Sequence, residues 1–227
     1  MPETRSQFHE AMEGLRLEIL EEGELAERAV ARGVRAIVHD DPELAEAVIG
    51  EDDAVDERYL DIDRRVLELI AIQSPVAGDL RFLSAILHIN LHLERIGDQG
   101  VNIAKIHLAT QELPKTTALR AQIDEMGTLA VAMVRTSIRA FAEKDLELCL
   151  TLPKLDDPVD RLNQLTHLEA LKLADDPRAL EWGLHMNLVA RALERVGDNA
   201  VDIGEQVAFV VTGLFREFSD ASHAPAR

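Results

Sequence analysis

The stretch LERIGDQGVNI, Leu93 to Ile103, returns almost unchanged as LERVGDNAVDI, Leu193 to Ile203. A second echo lies upstream of each copy: EDDAVDERY, Glu51 to Tyr59, recurs as LDDPVDRLN, Leu155 to Asn163. Two motifs repeated in the same order read as duplication of one structural unit, so both halves must fold alike.

What that unit is follows from the apolar spacing. Helical periodicity is nearly unbroken, and no strand-like alternation bounded by hairpin signals interrupts it. The breakers cut the chain into six long segments. The first runs from about Glu3 to Val38. The second starts at Asp41, an N-cap with Pro42 in the first helical position, and runs to about Ile72. Ser74 and Pro75 read as cap and first residue of a third, lasting to about Thr110. QELPKTT is the mid-chain linker. The fourth covers Thr116 to Ala142, the fifth Leu146 to Ala174, and the sixth follows the Asp-Pro start of DDPRAL to about Phe218. The tail SDASHAPAR is expected to fray. Divided about the linker Leu113–Thr117, these segments give an all-α fold of two tandem three-helix bundles, residues 1–112 and 113–227.

Composition agrees and narrows the partners. Apolar residues form 47% of the 227, enough for real cores, while aromatics are only 4%. With 42 acids against 24 bases the net charge is −18, which repels DNA phosphates and anionic lipid and favours cations or a basic protein face. The single cysteine, Cys149, excludes an internal disulfide and reads as a buried thiol. No stretch approaches the roughly 20 apolar residues of a membrane span, and the start MPETRSQFHEAMEGL lacks the form of a signal peptide. The expectation is a soluble cytoplasmic protein, attached to the inner membrane only through protein partners.

Within the repeated motif, Glu94 and Asp98 are four apart and share a helix face. At about 100° per residue, Leu80, Leu83, Leu87, Leu91 and Val101 fall within roughly 40° of their direction, while Arg81, His88, His92, Arg95 and Gln99 lie opposite. Both carboxylates therefore sit on the apolar stripe, where an unpaired charge is costly and needs a proton, a base or a cation. Gly97 between them would let a helix or an ion approach. The middle segments supply facing acids: Asp52 and Asp56 in one half, Asp156 and Asp160 in the other. Asn102 and Asp202 stand two turns beyond Glu94 and Glu194 and can add one oxygen each. Hard carboxylate oxygens suit a divalent or iron-type ion. For Asp156 and Asp160 a competing reading remains: Pro158 opens a helical turn capped by Asp157, which would favour an acid at 160 anyway. A di-iron redox protein is the alternative, although no Glu-x-x-His motif accompanies the pairs. Trp182 reads as packing.

The two blocks QSPVAGDLRFLSAILHINLHLERIGDQGVNIAK, Gln73 to Lys105, and ARALERVGDNAVDIGEQVAFVVTG, Ala190 to Gly213, resemble the PhoU family of phosphate-transport accessory regulators. The resemblance covers nearly the whole chain. It implies two tandem three-helix bundles whose Glu/Asp-x-x-x-Asp motifs hold iron, zinc, magnesium or manganese. Carried over, those positions are Asp52, Asp56, Glu94, Asp98, Asp156, Asp160, Glu194 and Asp198. It further implies a negative regulator of the phosphate-starvation response, linking the ATPase subunit of the phosphate ABC transporter to a sensor histidine kinase. The residues do not decide between a monomer and a homodimer. The chain departs from internal symmetry in three places: Asp79–Arg81 has no second-half counterpart, Pro158 interrupts the third motif, and Asp202 replaces Asn102.

Overall fold

The computed structural model describes residues 2–218, and helices are the only regular structure among them. Seven helices are present among them: α1 (Pro2–His39), α2 (Pro42–Gly50), α3 (Asp52–Gln73), α4 (Ala77–Ala109), α5 (Thr117–Glu143), α6 (Leu146–Leu171) and α7 (Pro177–Thr212). The first repeat supplies α1–α4 and the second α5–α7. The two-bundle fold is as the periodicity implies, with one more helix than expected. The second segment breaks at Gly50–Glu51, where Glu51 ends α2 and precedes α3. Gly50 lowers helix propensity there, and the Glu51 carboxylate pairs with Arg32 of α1 at 2.5 Å.

Asp41 and Asp176 cap α2 and α7 as expected, each accepting backbone N–H bonds ahead of a proline. Ser74 does not start α4. It closes α3 in the left-handed region at φ 46°, its N–H bonded to the Ile70 carbonyl, and α4 begins at Ala77. Pro158 does not open a turn either. Helix α6 runs through both Pro153 and Pro158 and is capped at Asp145, whose carboxylate accepts from Glu147 and Leu148. Each internal proline costs a helical hydrogen bond; packing of α6 against α5 and α7 outweighs that. Helix α7 stops at Thr212, earlier than Phe218, because Gly213 takes φ 74° and caps it. The tail SDASHAPAR lies outside the described residues.

One continuous core runs through both repeats. Leu15, Ile19 and Val30 of α1, Ile86, Leu93 and Ile96 of α4, Met126 and Met133 of α5, and Trp182, Val189 and Val196 of α7 are buried within it. Each such side chain contributes about 1.5–3 kcal/mol by leaving water. Trp182 is packing, and Cys149 is a buried free thiol, as expected. Between repeats, α4 packs on α7 and α1 on α5. Just past the end of α1, Asp40 pairs with Lys115 of the mid-chain linker and, at 3.2 Å, with Arg120 of α5. No described helix is long and apolar enough to cross a membrane.

Candidate metal centre

Helices α3 and α4 run antiparallel, joined by the turn at residues 74–76, and the first acidic cluster sits on their seam. Asp52 opens α3, where its charge suits the helix N-terminus, and Asp56 follows one turn later. From α4, Asp98 meets them: one carboxylate oxygen of each of Asp52, Asp56 and Asp98 lies within 4.8 Å of the others. Among the described residues none of the three pairs with a base. Asp52 is half-buried, while Asp56 and Asp98 are exposed. Burial raises the Asp52 carboxyl above its usual range, and Asp56 and Asp98 push it further. Asp98 is raised by burial and then by Asp56, with Lys105 opposing.

Glu94 stands beside the triad, half-buried. Its carboxyl is raised by burial first, then by Asp98 and Asp56. The expectation that Glu94 and Asp98 lie on the apolar stripe is corrected. The packed face of α4 is Phe82, Leu83, Ile86, Ile89, Leu93 and Ile96; Leu80 is 42% exposed, and the acids line the edge of that face. Of the residues that set the sequence direction, Leu83 and Val101 are buried, but Leu80 is exposed and Leu87 and Leu91 are half-buried edge residues, and these three rotated the stripe towards the acids. Asn102 is exposed and outside the triad.

His92 lies on the side of α4 opposite the acids, as the spacing implies, but that side is not open to solvent. It is buried, because the face opposite the acids packs on α7 of the other repeat. Asn199 uses its Nδ2 to donate to the Arg195 carbonyl, so its Oδ1 accepts, and the His92 Nδ1–H donates to it at 2.8 Å. Asp202 lies 3.5 Å from the same nitrogen. His88 stays exposed, as expected.

The second cluster is built differently. Asp156, Asp198 and Asp202 line one cleft of about 300 Å³, joined by Glu205 and Glu217. Asp156 is buried, Asp160 and Asp202 half-buried, and Asp198 exposed; Asp160 does not line the cleft. Glu194 is drawn aside, its carboxylate 2.5 Å from Arg191. Burial raises the Asp202 carboxyl, against the pull of His92 and Arg95. Glu205 replaces the Lys105 of the first copy and accepts the Phe218 N–H at 2.5 Å.

Sequence reasoning passed over Glu22, Glu205 and Glu217. Glu22 was detectable: it occupies a core position in the series Leu15, Ile19, Ala26, Val30, all fully buried. Its own side chain is fully buried, and burial pushes its carboxyl up to about 8, with Glu94 and Asp63 adding to the rise. Glu205 was detectable too, seven residues after Asp198 on α7, whereas Glu217 joins the cluster from the chain beyond α7, which periodicity does not place.

A carboxylate-only donor set is the chemistry of a hard cation. The first cluster brings three oxygens together without a base to neutralise them, which fits magnesium, manganese or iron better than zinc, whose sites favour nitrogen and sulfur.

The family model described as the PhoU domain matches twice, over residues 19–106 and 123–207. A phosphate-specific transport system accessory protein PhoU homolog of Caulobacter vibrioides is 34% identical over 211 residues, covering 92% of each chain. That of Clostridium acetobutylicum is 32% identical over 221 residues, covering 96% of this chain and all of its own. The crystal structure of PhoU from Pseudomonas aeruginosa matches with a TM-score of 0.87 at 31% identity, over 91% of this chain and all of that one. The phosphate transport system regulatory protein PhoU from Streptococcus pneumoniae gives 0.85 at 25% identity, over 93% of this chain and all of its own.

Proposed function

The chain belongs to the PhoU family, and on that premise we propose that it is a cytoplasmic accessory regulator of phosphate uptake. In this reading it restrains the phosphate-starvation response by linking the ATPase subunit of the phosphate ABC transporter to a sensor histidine kinase. The observation that carries it is the match of both repeats, over nearly the whole length, to proteins named for phosphate-specific transport. The acidic surface supports docking on basic protein faces, since the net charge is −18.

Cation binding is the second element of the proposal. Asp52, Asp56 and Asp98 would hold a divalent or iron-type ion, with Glu94 beside them. Asp156, Asp198 and Asp202 would do the same in the second repeat; Asn102 in the first repeat and Asp160 and Glu194 in the second stand outside the immediate clusters. A bound ion supplies charge neutralisation, and these residues in turn tie α3 to α4 and α6 to α7. Each repeat, 1–112 and 113–227, is then one cation-braced unit.

Deleting the gene and assaying alkaline phosphatase in phosphate-rich medium tests the regulatory role. High activity that returns to the repressed level with a plasmid copy is expected. Activity that stays low after deletion contradicts it.

A further inference from the structure

The α3–α4 seam continues inward past the surface triad. Because the helices are antiparallel, going from Asp56 to Asp63 on α3 matches going from Asp98 through Glu94 to Asn90 on α4. That inner rung closes: the Asn90 Nδ2 donates to the Tyr59 carbonyl at 2.9 Å and to Asp63 Oδ1 at 3.1 Å. Both neighbours are acceptors, which fixes the amide orientation. The Asn90 Oδ1 is thereby turned away from them, buried and without a donor.

Glu22 approaches the same rung from α1. It is fully buried, and neither of its carboxylate oxygens has a hydrogen-bond partner among the described residues. Its electrostatic neighbours are Arg58, Glu94 and Asp63. Arg58 is already engaged by Glu21 at 2.7 Å. Among the described residues, three buried oxygens thus meet no donor, in a place that also holds Asp63. Unsatisfied buried oxygens are uncommon in native proteins and call for an explanation such as a bound ion.

The second repeat provides an internal comparison. At the offset that relates Asp52 to Asp156, Glu22-Gly23 corresponds to Met126-Gly127 and Asp63 to His167. At the offset that relates Leu93 to Leu193, Asn90 corresponds to Ala190. The same fold is therefore built without these three oxygen-bearing side chains, and Met126 and Ala190 are fully buried in their places. Architecture alone does not require an acid at position 22.

We propose that Glu22, Asp63 and Asn90 form an inner binding site for a small, hard divalent cation between α1, α3 and α4, separate from the surface triad. The donors are all oxygens, and the two carboxylates balance a charge of +2. The site belongs to the first repeat alone. It rests on the reading of the seam as a cation-binding surface, and its test separates the two.

Mn²⁺ binding to the full-length, chelator-stripped protein is measured by equilibrium dialysis. Wild type is compared with Glu22→Met, with Asn90→Ala, and with the double variant Asp56→Asn/Asp98→Asn. Both single substitutions introduce what the second repeat already carries, and circular dichroism checks their folding. The expected result is one equivalent of Mn²⁺ fewer in Glu22→Met and at least a tenfold weaker inner site in Asn90→Ala, with that site kept in the double variant. Unchanged stoichiometry in Glu22→Met overturns the inner site while leaving the surface cluster standing. Loss of all binding in the double variant also overturns a separate inner site. Absence of Mn²⁺ binding in wild type overturns both readings.

Discussion

Gly97 and Gly197 hold the same place in the two copies of the motif, yet their surroundings differ. A Cβ at Gly97 would meet only Val55, at 3.8 Å, whereas at Gly197 it would collide with the Asp156 carboxylate. Gly97→Ala should therefore gain up to about 1 kcal/mol from helix propensity, and Gly197→Ala should gain less or lose. Urea unfolding midpoints check this; the reverse order contradicts it. Glu22 gives a pH signature in metal-free protein. Its folded carboxyl keeps its proton to about 8, against an ordinary 4.5. The folded state then binds more protons between those values, so stability falls as pH rises through that window, by at most a few kcal/mol. Glu22→Met should flatten the profile; an unchanged slope contradicts the assignment. The pairing of Asp52 and Asp56 with Asp98 was readable because four-residue spacing fixes a helix face. Glu22 was hidden because one acid in a charged helix looks solvated until the periodicity of its apolar neighbours is set beside it.

Helices α1 and α4 meet backbone to backbone. A Cβ at Gly100 would lie 2.6 Å from the Ala29 carbonyl carbon and 2.7 Å from the Val30 nitrogen, and one at Gly33 would lie 2.6 Å from the Gly100 oxygen. Backbone cannot swing aside as a side chain does, so Gly100→Ala should cost about 1–3 kcal/mol, read in the same unfolding assay. A cost below that of Gly97→Ala would be inconsistent with this packing. The helices themselves were legible from period and breakers, as the Asp-Pro starts of α2 and α7 show. Their ends were less so. Ser74 reads equally well as a start or a stop, and only the backbone settles it as the left-handed end of α3. Pro158 reads as a breaker, but the core of Leu152, Val159 and Leu162 holds α6 continuous across it. His92 falls opposite the acids, a side of α4 that a single-bundle picture leaves bare. The second bundle covers it.

Packing of α4 on α7 and α1 on α5 makes the two repeats share one core, so the molecule presents both acidic clusters from one body. A net charge of −18 on 227 residues makes association with a basic partner depend on salt. Affinity for the proposed ATPase partner should fall several-fold between about 50 and 500 mM salt, near and well beyond the regime where screening sets in; affinity indifferent to ionic strength contradicts electrostatic docking. The proposed regulator joins the cation cluster to phosphate control, and one measurement addresses that junction. Alkaline phosphatase is assayed in phosphate-rich medium in a deletion strain carrying either the wild-type gene or Asp52→Asn/Asp56→Asn/Asp98→Asn, at equal protein levels. Repression by wild type and its loss in the folded triple variant are predicted. Full repression by the triple variant would contradict the claim that the α3–α4 cluster serves regulation.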